Sequence, residues 1–132
     1  MNTDTLRTLE HIAQSLGAQT EQMPEDRRAF FEGLSALSAQ EVAQAHGHFK
    51  AAARQCAPPF DVLSVLALAE CERLMGKDGR ALRRLQGITA DPGAGAAMQR
   101  AALLGQLQIY TTRQDERMVE QLQAQLDALS QG

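Results

Sequence analysis

Three observations predict an all-α protein. Of the 132 residues, 22 are Ala and 17 Leu against 4 Val and 3 Ile, which is helix-forming material poor in strand formers. Apolar residues recur at intervals of three and four along most of the chain. The segments so marked are cut at Gly17, Pro24, the pair Pro58 and Pro59, Gly76, and the run Asp91-Pro92-Gly93-Ala94-Gly95. At this length residues 1–132 form a single domain, which buries roughly two-thirds of its unfolded surface without metals or disulfides.

Residues 5–16 carry Leu6, Leu9, Ile12, Ala13 and Leu16, with Asp4 as cap and Gly17 as stop. Residues 1–17 therefore hold an N-terminal amphipathic helix. Residues 18–23 lack periodicity and read as a linker. Pro24 opens the next helix, with Glu25 and Asp26 in its first turn, where the helix dipole favours negative charge, and Phe30, Phe31, Leu34 and Leu37 along one side. Ser38 and Glu41 have the spacing of a capping box, and a helix follows to about Cys56 on Val42, Ala45, Phe49, Ala52 and Ala53. Asp61 caps a helix over 62–75, Gly76 stops it, and Asp78 caps another to about Gly87. Residues 96–110 form a further helix on Met98, Ala101, Leu104 and Leu107. Thr112 and Asp115 are read as a second capping box before a last helix, whose side is Met118, Leu122, Leu126 and Leu129. The sum is about seven helices, six of them paired in three hairpins over residues 24–132.

The hairpins repeat. Gly33, Ala69 and Gly105 stand 36 residues apart, as do Ala45 and Ala81, Phe49 and Leu85, and Ala52 and Ile88. A one-residue slip places Met118 and Leu122 in the third unit. On Gly33, Ala45, Phe49, Ala52 and Pro58, and again on Leu68, Ala69, Gly76, Ala81, Leu85 and Pro92, the chain resembles the tetratricopeptide-repeat family. It differs in its longer period and in lacking the large aromatic early in each first helix. The resemblance implies three hairpins in a right-handed superhelical stack, with the N-terminal helix as an addition.

Chemistry is sparse. His46 and His48 are two apart, so on a helix they diverge and cannot share a metal; His11 has no carboxylate or thiol partner at ligand spacing. Glu70 and Glu72 point to different sides, and the glycines of 91–95 lack the lysine and hydroxyl of a phosphate loop. We expect no catalytic residues, no metal and no cofactor, hence no enzyme. The net charge of -3 and aromatic content of 4% argue against nucleic acid. No apolar run suits membrane insertion and no leader pattern opens the chain, so a cytoplasmic location is expected, with Cys56 and Cys71 as reduced core thiols. Lys77, Arg80, Arg83 and Arg84, with Arg73 across the turn, form a basic patch that suits either a solvated face or an acidic partner.

In a tetratricopeptide stack the first helices line the concave side. That register puts Arg27, Phe30, Leu34 and Leu37 inward from the first hairpin, Leu63, Leu66, Glu70, Arg73 and Leu74 from the second, and Gln99, Ala102, Gln106, Ile109 and Tyr110 from the third. An apolar trough of this kind suits a protein client, or is covered by the chain's own first helix or in a homodimer. In length and layout the chain resembles the small tetratricopeptide chaperones of bacterial type III secretion. That resemblance implies a client that is a small, helix-rich secreted subunit of a translocator, needle or filament, kept unassembled by covering its assembly surface. A structural adaptor of a bacterial complex and a self-gated regulatory module are the alternatives.

Overall fold

A computed structural model describes residues 25–131 apart from Ala57 and Pro59. These residues form six α-helices: α1 Glu25–Ser38, α2 Val42–Gln55, α3 Phe60–Leu74, α4 Asp78–Thr89, α5 Ala96–Thr112 and α6 Glu116–Gln131, with a 3-10 turn Pro92–Ala94 before α5. No strand occurs among the described residues. The expected helix over 5–16 and the linker over 18–23 lie outside them.

Each helix packs on the next in chain order, so short connections make consecutive helices antiparallel. The first helices α1, α3 and α5 also touch in succession, which leaves α3 in contact with four other helices. Its buried residues accordingly run almost without interruption from Leu63 to Glu72. Leu63, Leu68, Ala69 and Cys71 at 0–1% exposure share that helix with Ser64, whose hydroxyl donates to the Phe60 carbonyl at 2.7 Å.

One core cluster runs from α1 to α5, and its aromatic part lies where α1, α2 and α3 meet. Phe30 touches Phe31, Phe49 and Phe60 with ring centroids 5.3, 5.7 and 5.5 Å apart, the first and last edge-on, as the ring quadrupole prefers. The Arg27 guanidinium lies 4.5 Å over the Phe60 ring. Gly33 lets α1 approach α2: a Cβ there would stand 2.6 Å from the Phe49 ring. Gly105 lets α5 approach α4: a Cβ there would stand 3.1 Å from the Leu85 side chain.

The helix ends correct four assignments. Ser38 is the last residue of α1 and does not cap α2; Gln40 at φ 64° turns the chain, the Gln40 amide donates to the Leu37 carbonyl and the Glu41 amide to the Ala36 carbonyl. That is a Schellman closure, in which backbone satisfies the carbonyls and no capping box is needed. Thr112 likewise ends α5, Gln114 at φ 60° makes the turn, and the cap of α6 is Asp115 itself, accepting from the Met118 amide at 3.3 Å. Asp78 is the first residue of α4, with Lys77 in the cap position, and its carboxylate reaches Arg113 at 3.7 Å. Asp61 sits inside the first turn of α3 and accepts from the Val62 amide at 2.8 Å. Gly76 fills the left-handed position as expected, at φ 79°. In the 91–95 loop the Asp91 carboxylate accepts from the Gly93 amide at 2.9 Å, and the Gln99 side-chain amide donates to the Asp91 carbonyl.

Candidate functional site

The ten residues expected to line a groove come together along the contacting helices α1, α3 and α5, but none is exposed. Phe30, Leu34, Leu37, Leu63, Leu66, Glu70 and Ile109 are buried, and Arg73, Leu74 and Tyr110 are half-buried. The expectation of an open apolar trough is therefore not met in this conformation. Phe30 is taken up by the aromatic cluster, and Leu63 and Leu66 belong to a helix packed on several sides. Of the other inward positions, Ala102 and Gln106 are buried and Arg27 and Gln99 are half-buried. Gln106 lies within 3.5 Å of the Thr89 hydroxyl.

Two acidic residues sit in the middle of this arrangement. Glu70 and Arg73 form a two-pronged pair one turn apart on α3, at 2.6 and 3.1 Å. Hydrogen bonding to Glu70 raises the Arg73 pKa, burial acts against it, and the charges of Glu70 and Asp78 add to the rise. Glu72 is 1% exposed and joins three helices: Arg84 Nε of α4 donates to it at 2.6 Å, and His46 Nε2 of α2 stands 3.5 Å away. Burial alone would push the Glu72 carboxyl up, but the hydrogen bond and charge of Arg84, then those of His46, bring it below the usual carboxylate range. The same environment pushes the buried Cys71 thiol up to about 12, through burial first and the Glu70 and Glu72 charges second.

The histidines diverge, His46 toward Glu72 and His48 toward Glu32 on α1 at 3.4 Å. Of the basic patch, Arg84 is held by Glu72 and Arg73 by Glu70, whereas Lys77, Arg80 and Arg83 are exposed. The bridge from His46 through Glu72 to Arg84 joins residues far apart in the sequence. Its one sequence signal is a carboxylate inside the apolar stretch of α3. Such a group must be paired when buried; Glu70 finds Arg73 on its own helix, whereas Glu72 finds its partners on neighbouring ones. Among the described residues, no three His, Cys, Asp or Glu side chains are placed to hold a metal ion, and no helix is long and apolar enough to cross a membrane.

Together the site defines an all-helical chain of successive hairpins tied across their junction by a buried ion-pair bridge. Comparison with protein-family models, curated proteins and solved structures gives no match.

Proposed function

We propose that the chain is a protein-binding helical-repeat module with tetratricopeptide-like stacking, acting as a cytoplasmic chaperone for a small secreted subunit of the type III translocator, needle or filament class. The observation that supports it most is the run of contacts from α1 to α3 to α5, the three helices on which the ten residues lie. A client enters at the accessible edge, Arg73, Leu74 and Tyr110, where an amphipathic helix can place apolar side chains beside the Glu70–Arg73 pair. The burial of Phe30, Leu34, Leu63 and Leu66 favours a gated module as a second reading, in which the deeper lining opens only with a client present.

Replacing Leu66 by Asp would be a poor probe of this face, because it puts a carboxylate where exposure is 5% and unfolds the core. A photo-crosslinking residue at Leu74 or Tyr110 is the better test. Cross-linking in cells to one small, helix-rich, exported protein supports the chaperone reading. Cross-linking to two or more stably folded partners supports an adaptor. If both positions give no cross-linked protein while the same label on exposed Gln123 of α6 does, the face assignment is wrong.

A further inference from the structure

The second helices of the first two hairpins carry a charge asymmetry that the chain as a whole does not. Net charge is -3, yet α2 has no acidic residue, and α4 has only Asp78 at its first position, already beside Arg113. On these two helices and the residue before α4, five cations are exposed: Lys50, Arg54, Lys77, Arg80 and Arg83. Among the described residues none of the five has an ion-pair partner, while Arg73, Arg84 and Arg113 each have one. Among the described residues the two acids that reach α2 are Glu32, at His48, and Glu72, at His46, and neither is an ion-pair partner of Lys50 or Arg54.

Geometry puts these cations on one side. Both helices run antiparallel to α3, hence parallel to each other, and the Glu72 carboxylate reaches His46 of α2 and Arg84 of α4 at once. Lys50 lies one turn beyond His46, and Arg80 one turn before Arg84, so each continues the face that converges on Glu72. The buried residues Ala45, Phe49 and Ala52, and Ala81, Leu85 and Ile88, turn inward and leave Lys50, Arg54 and Arg83 outward. The unpaired cations thus lie on a diagonal across the two helices, Lys77, Arg80 and Arg83 on the N-terminal side of the Glu72 bridge and Lys50 and Arg54 on its C-terminal side.

We propose that this outer face of α2 and α4 docks an acidic segment of a partner protein, separately from the face along the first helices. An exposed face that carries cations and no counter-charge has a positive potential, which a partner's carboxylates complement. The surroundings fit a peptide better than the other polyanions. Phe49, the aromatic residue of the two helices, is fully buried, so no ring is offered for base stacking. The exposed large apolar residues among those described, Met75 and Leu104, lie outside α2 and α4, so these helices offer nothing to insert among lipid chains.

The test uses the full chain and a fluorescently labelled peptide of alternating Glu and Gly, read by anisotropy. Saturable binding that weakens with added salt is expected. The pair Arg80→Glu/Arg83→Glu and the pair Lys50→Glu/Arg54→Glu should each lower affinity at least about tenfold, since attraction becomes repulsion at two sites. The pair Arg100→Glu/Arg117→Glu changes net charge equally on the third hairpin and should lower it less than about threefold. Circular dichroism checks that each variant is folded, and the milder Arg83→Gln replaces any that is not, with a smaller loss expected. No saturable binding, an equal loss in the third-hairpin pair, or tighter binding to duplex DNA or phosphatidylserine vesicles than to the peptide would each overturn the proposal.

Discussion

Gly33→Ala should destabilise the protein although alanine is the better helix former. In a helix interior the exchange is worth about 0.5–1 kcal/mol in favour of Ala. Here the added methyl would lie 2.6, 2.7 and 2.9 Å from three atoms of the Phe49 ring. That ring is fully buried and pressed by Phe30 at 5.7 Å, so it has no free direction in which to yield. Overpacking of this kind costs about 1–3 kcal/mol, which leaves a net loss of up to about 2.5 kcal/mol, with a middle value of about 1 kcal/mol. Gly47 on the exposed side of α2 has nothing within 4 Å, so Gly47→Ala should gain about 0.5–1 kcal/mol. Gly105 is intermediate, its close neighbours being the Leu85 methyls at 3.1 and 3.2 Å, and Gly105→Ala should fall between the two. Urea titration followed by circular dichroism separates these outcomes, since a change of 1–2 kcal/mol moves the midpoint by about 0.5–1 M. If Gly33→Ala melts at or above the parent midpoint while Gly47→Ala rises, propensity governs both sites and the close crossing of α1 on α2 is wrong.

Three further outcomes follow from named contacts. Glu72→Gln should cost about 1–3 kcal/mol, the low end being favoured because Arg84 is 34% exposed. The Glu72 carboxyl is lowered in the fold, so its contribution is complete above the unfolded value of about 4.3 and is lost as pH falls through the folded value; below about 4.3 Glu72→Gln should lose stability less steeply than the parent. A parent and variant with parallel acid-unfolding curves would show that the pairing contributes nothing. Cys71, buried and raised to about 12, should react with a disulfide reagent at neutral pH only as fast as the chain opens, so prompt labelling in the native state would contradict its placement. Gln40→Gly and Gln114→Gly should each stabilise by up to about 1 kcal/mol, because a left-handed φ near 60° is strained for Gln and free for Gly; thermal melting of each variant checks this.

Those two glutamines show where local reading stopped. Gly76 advertises a left-handed turn, and the sequence locates it; Gln40 and Gln114 make the same turn with nothing in the side chain to mark it. Next to them, Ser38 with Glu41 and Thr112 with Asp115 offered the spacing of capping boxes. Backbone closure took precedence at both sites, and Asp115 alone caps a helix. The turns at Gln40 and Gly76 are 36 residues apart, as are the aligned core residues, while Gly76 and Gln114 are 38 apart. The slip between second and third hairpins was therefore visible in the core alignment, though as one residue, and its origin is α5 itself, which at 17 residues is two longer than α3 while the three-residue connection after it is unchanged.

The candidate site raises a different problem, since spacing identifies the apolar side of a helix and says nothing of what lies against it. The expected lining of α3 was Leu63, Leu66, Glu70, Arg73 and Leu74, a side that would be open if only two helices flanked it. Because α1 and α5 also contact α3, three of those residues become core and only Arg73 and Leu74 keep partial access. The Glu70–Arg73 pair could be read from its one-turn spacing, whereas Glu72 finds Arg84 twelve residues on and His46 twenty-six residues back, a geometry that exists only once α2, α3 and α4 have packed. Holding Arg84 inward has a further consequence for the surface. It commits Glu72 to Arg84, while Arg80 and Arg83 of the same helix are exposed with no ion-pair partner among the described residues. The two faces proposed for a partner, the edge at Arg73, Leu74 and Tyr110 and the cationic outer face of α2 and α4, both consist of residues that keep solvent access without any opening of the core.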